Sequence, residues 1–210
     1  ELTFMKKNPI FTLIFLCYII SVSKVWATDS ILLLGDSVSA SYGMQPNQGW
    51  VHLLNTQLKE KESAYTLINA SISGETTTGG LSRLSTILDK ENIDYLLIEL
   101  GGNDGLRGFP PITIKNNLLQ MIKIAQNKKI PVALFGIKIP PNYGPRYNKM
   151  FEAVFTSVAK EKNIPLVPFF VEEVILQPEM MQDDGIHPSA NAQPIIAKLI
   201  EKELEKLIKQ

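Results

Sequence analysis

One serine on a glycine-containing turn, two histidines and a pair of adjacent aspartates are the groups in this chain whose types and spacing could do chemistry. Ser37 follows Gly35 and Asp36 directly after the apolar run 31–34, where a tight turn would hold its hydroxyl at the edge of a sheet. A serine hydroxyl becomes a nucleophile when a base takes its proton, and histidine is the side chain suited to that near neutral pH. His52 falls within a helical pattern that starts at Trp50, which assigns it to a packed or surface helix position. His187 falls in Asp183-Asp184-Gly185-Ile186-His187-Pro188, a loop fixed by its glycine and proline just before the last helix. Asp184 stands three residues before His187. On a loop, that separation lets a carboxylate reach the second imidazole nitrogen and set its tautomer, as in a serine triad. The alternative is that Asp184 or Asp183 simply caps a turn. A metal centre on His187, Asp183 and Asp184 would compete with this reading, but no second histidine or cysteine completes a ligand set, so no metal is expected.

Acyl transfer through such a triad also needs hydrogen-bond donors where negative charge develops on the carbonyl oxygen. The backbone N–H groups of Ser37 and Gly74 and the side-chain amide of Asn103 would make a three-donor oxyanion hole. Taken singly, each of these residues is explained as well by turn chemistry. Their order along the chain is what speaks for a site.

The elements that must position these groups alternate in type. Five apolar runs of strand length occur at 31–34, 66–70, 95–100, 132–137 and 166–170, and their near-continuous apolar character predicts burial on both faces. Between them lie helical spacings: Trp50, Leu53, Leu54 and Leu58; Leu81, Leu84 and Leu88; Ile114, Leu118, Met121, Ile122 and Ala125, ending before Pro131; and Phe151, Val154, Phe155 and Val158. A last helix is expected over about 191–208, with Ile195, Ile196, Leu199, Leu204 and Leu207 on one side. This alternation predicts a single three-layer α/β/α domain on a five-stranded parallel sheet. In such a sheet the ligand lies outside the carboxyl ends of the strands. The turns at 35–37, 71–74 and 101–104 fall at those ends.

Composition narrows the function classes. Hydrophobic residues make up 45% and charged residues 20% of the 210 residues, a globular balance, and the formal net charge is zero. No basic, aromatic-laced patch points to nucleic acid. Lys6 and Lys7 precede an uncharged apolar stretch at 10–22, and Val25-Trp26-Ala27 places small residues at the spacing a signal peptidase reads. Residues 5–27 are therefore expected to be a removed signal peptide, since the apolar stretch is short of the roughly 20 residues of a membrane span. Residues 28–210 would form the mature domain. Cleavage would remove the lone cysteine, Cys17, and leave 18 basic and 20 acidic residues once Lys6, Lys7, Lys24 and Glu1 are gone. Ile14-Phe15-Leu16 lacks the small residues that precede a lipidated cysteine, which argues against a lipoprotein.

Gly35-Asp36-Ser37-Val38-Ser39-Ala40, then Gly74, then Gly101-Gly102-Asn103-Asp104, then Asp184-Gly185-Ile186-His187-Pro188 resemble the four blocks of the SGNH (GDSL) hydrolase family, in the family's order and across essentially the whole mature chain. Val38 stands where the family's GDSL signature has leucine, a change that leaves the chemistry untouched. The segments 69–76, 99–109, 141–144, 181–188 and 192–194 are closer still to a periplasmic branch of that family. The resemblance implies a flavodoxin-like sheet and hydrolysis of acyl esters and thioesters without a cofactor, on aryl esters, acyl-CoA and lysophospholipids. It implies Ser37, Asp184 and His187 as catalytic residues, with Gly102, Asn103 and Ile139 in contact with substrate. It further implies that the loop 106–111 is mobile and closes over an acyl chain against a wall at 139–143. A carbohydrate acetyl-esterase and a non-catalytic secreted binding protein of the same fold are the alternatives. Expected partners are small acyl substrates alone, with no nucleic acid and no lasting membrane anchor, for an exported, periplasmic monomer.

Overall fold

The structure is a computed structural model describing residues 28–208. The expected signal peptide lies outside the described residues. Five strands, β1 (Asp29–Gly35), β2 (Tyr65–Asn69), β3 (Tyr95–Glu99), β4 (Val132–Phe135) and β5 (Leu166–Val167), alternate with α1 (Trp50–Glu60), α2 (Thr77–Lys90), α3 (Gly102–Leu106), α4 (Pro111–Asn127), α5 (Pro145–Lys162) and α6 (Gln193–Ile208). All strand pairs are parallel, in the order β2-β1-β3-β4-β5. The chain leaves β1 toward β2 on one side, and β3 pairs with β1 on the other. A crevice therefore opens at the carboxyl ends of β1 and β3, where Ser37 and Asn103 follow their strands.

The central strands are buried on both faces: Ile31 to Leu34, Leu96 to Ile98 and Val132 to Phe135 are all in the core. The two edge strands depart from that expectation. In β2 only Leu67 is buried. Its outward-facing N–H and carbonyl pair with the side-chain amide of Asn55 on α1, both at 2.9 Å, which closes part of an otherwise open edge. β5 is two residues long rather than the run 166–170, because Pro168 has no N–H to continue the ladder. Phe170 instead enters a 3₁₀ turn and packs edge-on against Phe135.

The helices split into two layers. α1 packs on α6, while α2, α4 and α5 pack side by side. The α1–α6 pairing is locked at its end by Gln193, a buried side chain whose Oε1 accepts the Trp50 N–H at 3.0 Å and so caps a helix whose own N-cap is glycine. α6 begins at Gln193, preceded by a 3₁₀ turn at Ala190–Ala192, and buries Gln193, Ile196, Ala197, Ile200 and Leu204. Its buried face is therefore rotated from the expected one, leaving Leu199 and Ile195 partly exposed. Proline opens α4 and α5, where a missing N–H costs nothing.

Candidate active site

Two loops, one after β1 and one before α6, bring Ser37, Asp184 and His187 together. Ser37 Oγ lies 2.8 Å from His187 Nε2, although 150 residues separate them. His187 Nδ1 lies 2.7 Å from Asp184 Oδ2. The other oxygen of Asp184 accepts the N–H groups of Ile186 and His187 at 2.9 and 3.0 Å. Of the two adjacent aspartates it is thus Asp184 that caps the turn, as well as holding the imidazole. Partial burial pushes the Asp184 carboxyl up, but the His187 and Ile186 hydrogen bonds and the nearby imidazole outweigh it and hold the group below the usual carboxylate range. An Nδ1–H shared with that carboxylate leaves Nε2 unprotonated and facing the Ser37 hydroxyl. His52 is exposed on α1.

Asn103 is the second residue of α3, a short helix where the sequence predicts a plain turn. Its amide donates to Asp36 Oδ2 at 3.2 Å. Gly74 adopts φ 78, a left-handed conformation that disfavours any side chain, and its carbonyl accepts Arg107 Nη2 at 3.1 Å. The stretch carrying Gly74 is anchored one turn later. Asp104, fully buried, accepts the Thr77 N–H at 2.8 Å and its hydroxyl at 2.6 Å, and Asn117 on α4 donates to the same hydroxyl. This fastens the start of α2 to α3, and so the Gly74 turn to Asn103. Burial raises the Asp104 carboxyl, with the Thr77 hydrogen bonds pulling the other way.

Beneath the serine sits a second pair of carboxyls. Glu99, at the end of β3, is registered opposite Gly35 and accepts the Ser39 hydroxyl at 2.8 Å and the Asp36 N–H at 3.3 Å. Burial, then the adjacent Asp36, pushes Glu99 well above the ordinary carboxyl range. Asp36 is raised to about 6 by burial, with the Val38 N–H, His187 and Asn103 opposing and Asp104 adding to the rise. The sequence reading missed this pair. A glutamate inside the apolar run 95–100 was the available signal, because a carboxyl there must be buried and must find partners.

An apolar pocket of about 230 Å³ opens beside Ser37, walled by Ile137, Ile139, Phe169, Val171, Ile175 and Ile186. Gly102, Asn103 and Ile139, the expected substrate contacts, all line it. Of the predicted wall, Ile139, Pro140 and Pro141 face the pocket; of the loop 106–111, Leu106 does. The loop is latched to the wall segment: Tyr143 and Tyr147 donate their hydroxyls to the carbonyls of Leu106 and Phe109 at 2.8 and 2.6 Å. Lys138 and Glu172 pair at 2.6 Å where two of the pocket's loops meet.

Comparison with known proteins places the chain in a family. The model of the GDSL-like Lipase/Acylhydrolase family matches residues 33–193. The arylesterase of Vibrio mimicus is 47% identical over 180 residues, covering 86% of this chain and 90% of that protein. Thioesterase 1/protease 1/lysophospholipase L1 of Escherichia coli K12 is 44% identical over 194 residues and 92% of each chain. The crystal structure of the psychrotrophic esterase EstA from Pseudoalteromonas, inhibited by monoethylphosphonate, superposes with a TM-score of 0.85 at 43% identity, over 87% of this chain and all of that one.

Proposed function

The chain belongs to the GDSL-like lipase/acylhydrolase family, and from that premise we propose a serine esterase and thioesterase that works through an acyl-enzyme on Ser37. Ester and thioester hydrolysis are the activities the relatives are named for. The observation that carries the assignment to this site is the unbroken chain Ser37–His187–Asp184, at 2.8 and 2.7 Å, at the mouth of an apolar pocket.

In the first step His187 Nε2 takes the Ser37 proton as Oγ attacks the acyl carbonyl. The oxyanion is held by the Ser37 and Gly74 N–H groups and by the Asn103 amide, each such donor contributing about 2.7–4 kcal/mol in serine hydrolases. Asp184 holds the imidazole upright and faces the imidazolium as it forms. His187 then returns the proton to the leaving alcohol or thiol. Water, deprotonated by the same histidine, releases the acid and frees Ser37.

The substrate class follows from the pocket, whose walls beyond the polar groups near Ser37 and the Lys138–Glu172 pair are largely aliphatic or aromatic and which takes an acyl chain in preference to a bare acetyl group. Aryl esters, acyl-CoA thioesters and lysophospholipids share that acyl part. We also infer export to the periplasm as a monomer. Lys6, Lys7, the apolar stretch 10–22 and Val25-Trp26-Ala27 support the export. Among the described residues no helix is long and apolar enough to cross a membrane.

The experiment is a p-nitrophenyl ester series from acetate to palmitate on wild type and Ser37→Ala, with phosphonate labelling of both. Turnover that rises beyond acetate, with neither turnover nor label in Ser37→Ala, is the expected result. Activity confined to acetate would assign a carbohydrate acetyl-esterase instead, and a folded but inactive wild type would assign a binding protein.

A further inference from the structure

The imidazole of His187 has a neighbour that the triad does not use. The ring of Tyr42 lies 4.3 Å from it, centroid to centroid, with the planes tilted by 32°. The backbone goes out of its way to put it there. Tyr42 is flanked by Ser41 at φ 60 and Gly43 at φ 73. The first is a conformation that a non-glycine residue adopts when its surroundings impose it. Those surroundings are the two arms of the site itself. The Tyr42 N–H donates to the Ser37 carbonyl at 3.2 Å. Gln182 Nε2 donates to the Tyr42 carbonyl at 2.9 Å and to the Pro188 carbonyl at 3.1 Å, while the Gln182 N–H donates to the His187 carbonyl at 2.8 Å. A side chain at Gly43 would meet Gln182 Oε1 at 2.3 Å, so this bridge also requires the glycine. Tyr42 is thus pinned between the nucleophile's turn and the histidine's loop, with nearly half its surface open to solvent.

We propose that Tyr42 is a positioning residue for His187: its ring braces the imidazole toward Ser37 and presents a π face to the cation that forms when the serine proton is taken. The inference rests on the reading of His187 as the base. An aromatic face attracts a cation whose centre lies within about 6 Å, and 4.3 Å is inside that range. The titratable groups around the same imidazole are Asp184 on its own loop, Asp36 just after β1 and, behind it, Glu99 on β3 and Asp104 on α3. Asp183 shares a shallow surface recess with Tyr42 and Asp184. These carboxyl groups are the same in wild type and in every variant at residue 42, so a change in proton affinity is read against a constant set of charges.

The test compares wild type, Y42F, Y42L and Y42M on a medium-chain p-nitrophenyl ester across pH, with H187A as reference and thermal unfolding as the check of fold. Y42F keeps the face and is expected within about twofold of wild type. The aliphatic variants keep bulk without a π face. They are expected to lose about three- to thirtyfold in kcat with KM changed by less than about twofold, and to shift the acid limb of kcat/KM about half a pH unit lower. Equal losses in Y42F and Y42L would overturn the proposal by making the hydroxyl the agent. Wild-type kcat in the aliphatic variants would overturn it, and so would a kcat loss with an unmoved acid limb, which packing alone produces. Should Y42L not fold, Y42M carries the same comparison, and a loss in Y42F alone still removes the ring as the agent. Turnover in H187A would fail the underlying reading. An inactive H187A with unaltered Y42L would fail the role of Tyr42 alone.

Discussion

Asp36 Oδ2 accepts the side-chain amide of Asn103 at 3.2 Å, across the crevice between β1 and β3. A primary amide has two N–H groups, so the one held by Asp36 leaves the other for the substrate oxygen. Removing the acceptor leaves the amide free to turn away while the triad stays intact. Asp36→Ala should therefore lower kcat by about ten- to a hundredfold with little effect on KM, and Asn103→Ala by about 10²–10³. The double variant should be no worse than Asn103→Ala, because both changes remove one donor. Steady-state kinetics of the three proteins decide this, and a double variant equal to the product of the singles would separate the two roles.

The Glu99 carboxyl makes stability depend on pH in an unusual direction for an acid. Its proton is held more tightly in the folded chain than in the unfolded one, as is that of Asp36 at about 6. As pH rises from the ordinary carboxyl range through the folded values, the unfolded chain releases protons that the folded chain keeps, so this contribution to stability is lost. Asp184, held low, acts oppositely, and its contribution is lost as pH falls through its folded value. Glu99→Gln removes the Glu99 dependence and can still accept the Ser39 hydroxyl. Urea unfolding between pH 5 and 8 should show wild type falling relative to Glu99→Gln as pH rises. Parallel curves would mean the glutamate is no more protonated folded than unfolded.

Where the sequence was readable, the reason was a pattern confined to a few residues. The runs around Ile31 and Leu96 predicted central strands because both faces are buried; Ser37, Gly74 and Asn103 stood out as polar or glycine residues after strands, and His187 as a histidine on the loop before the last helix. What escaped depended on partners far away in the chain. Val167 ends β5 because the next residue is proline, a signal that apolar character masked. The pairing of Asp36 with Glu99, the anchoring of Asp104 by Thr77 and the stacking of Tyr42 on His187 each join two segments whose meeting only the fold decides. α3 escaped because Gly102 and Gly105 weaken a helix that is held from outside by Thr77, which donates to Asp104.

Tyr143 and Tyr147 tie the loop after α3 to the far wall through hydroxyl bonds to Leu106 and Phe109. Each such bond contributes about 0.5–1.5 kcal/mol, and removing the hydroxyl keeps the ring in place. Tyr143→Phe with Tyr147→Phe should lower the thermal midpoint by a few degrees, about 1–3 kcal/mol in all. Because Leu106 lines the pocket, the loosened loop should raise KM for long-chain esters more than for acetate. An equal change across the ester series would show that the latch serves the fold and not the acyl chain.

Val171 lies in the pocket wall within the 3₁₀ turn Phe170–Glu173, where it is buried and on a short, well-anchored segment. Phenylalanine at this position has one outlet, the pocket of about 230 Å³, since Phe135 and Trp50 already pack against the neighbouring Phe170 on the core side. Filling that space shortens the channel without touching Ser37, His187 or Asp184. Each methylene lost from an apolar site costs about 1–3 kcal/mol in discrimination, so a pocket shortened by one or two methylenes should lose at least about tenfold in kcat/KM on the longest esters it accepts. Acetate turnover should stay within about twofold, because the reacting carbonyl and its donors are unchanged. The p-nitrophenyl series on Val171→Phe reads both limbs at once. Uniform loss at every chain length would mean that the substitution displaced the triad, and unchanged long-chain turnover would place the acyl chain elsewhere than this pocket.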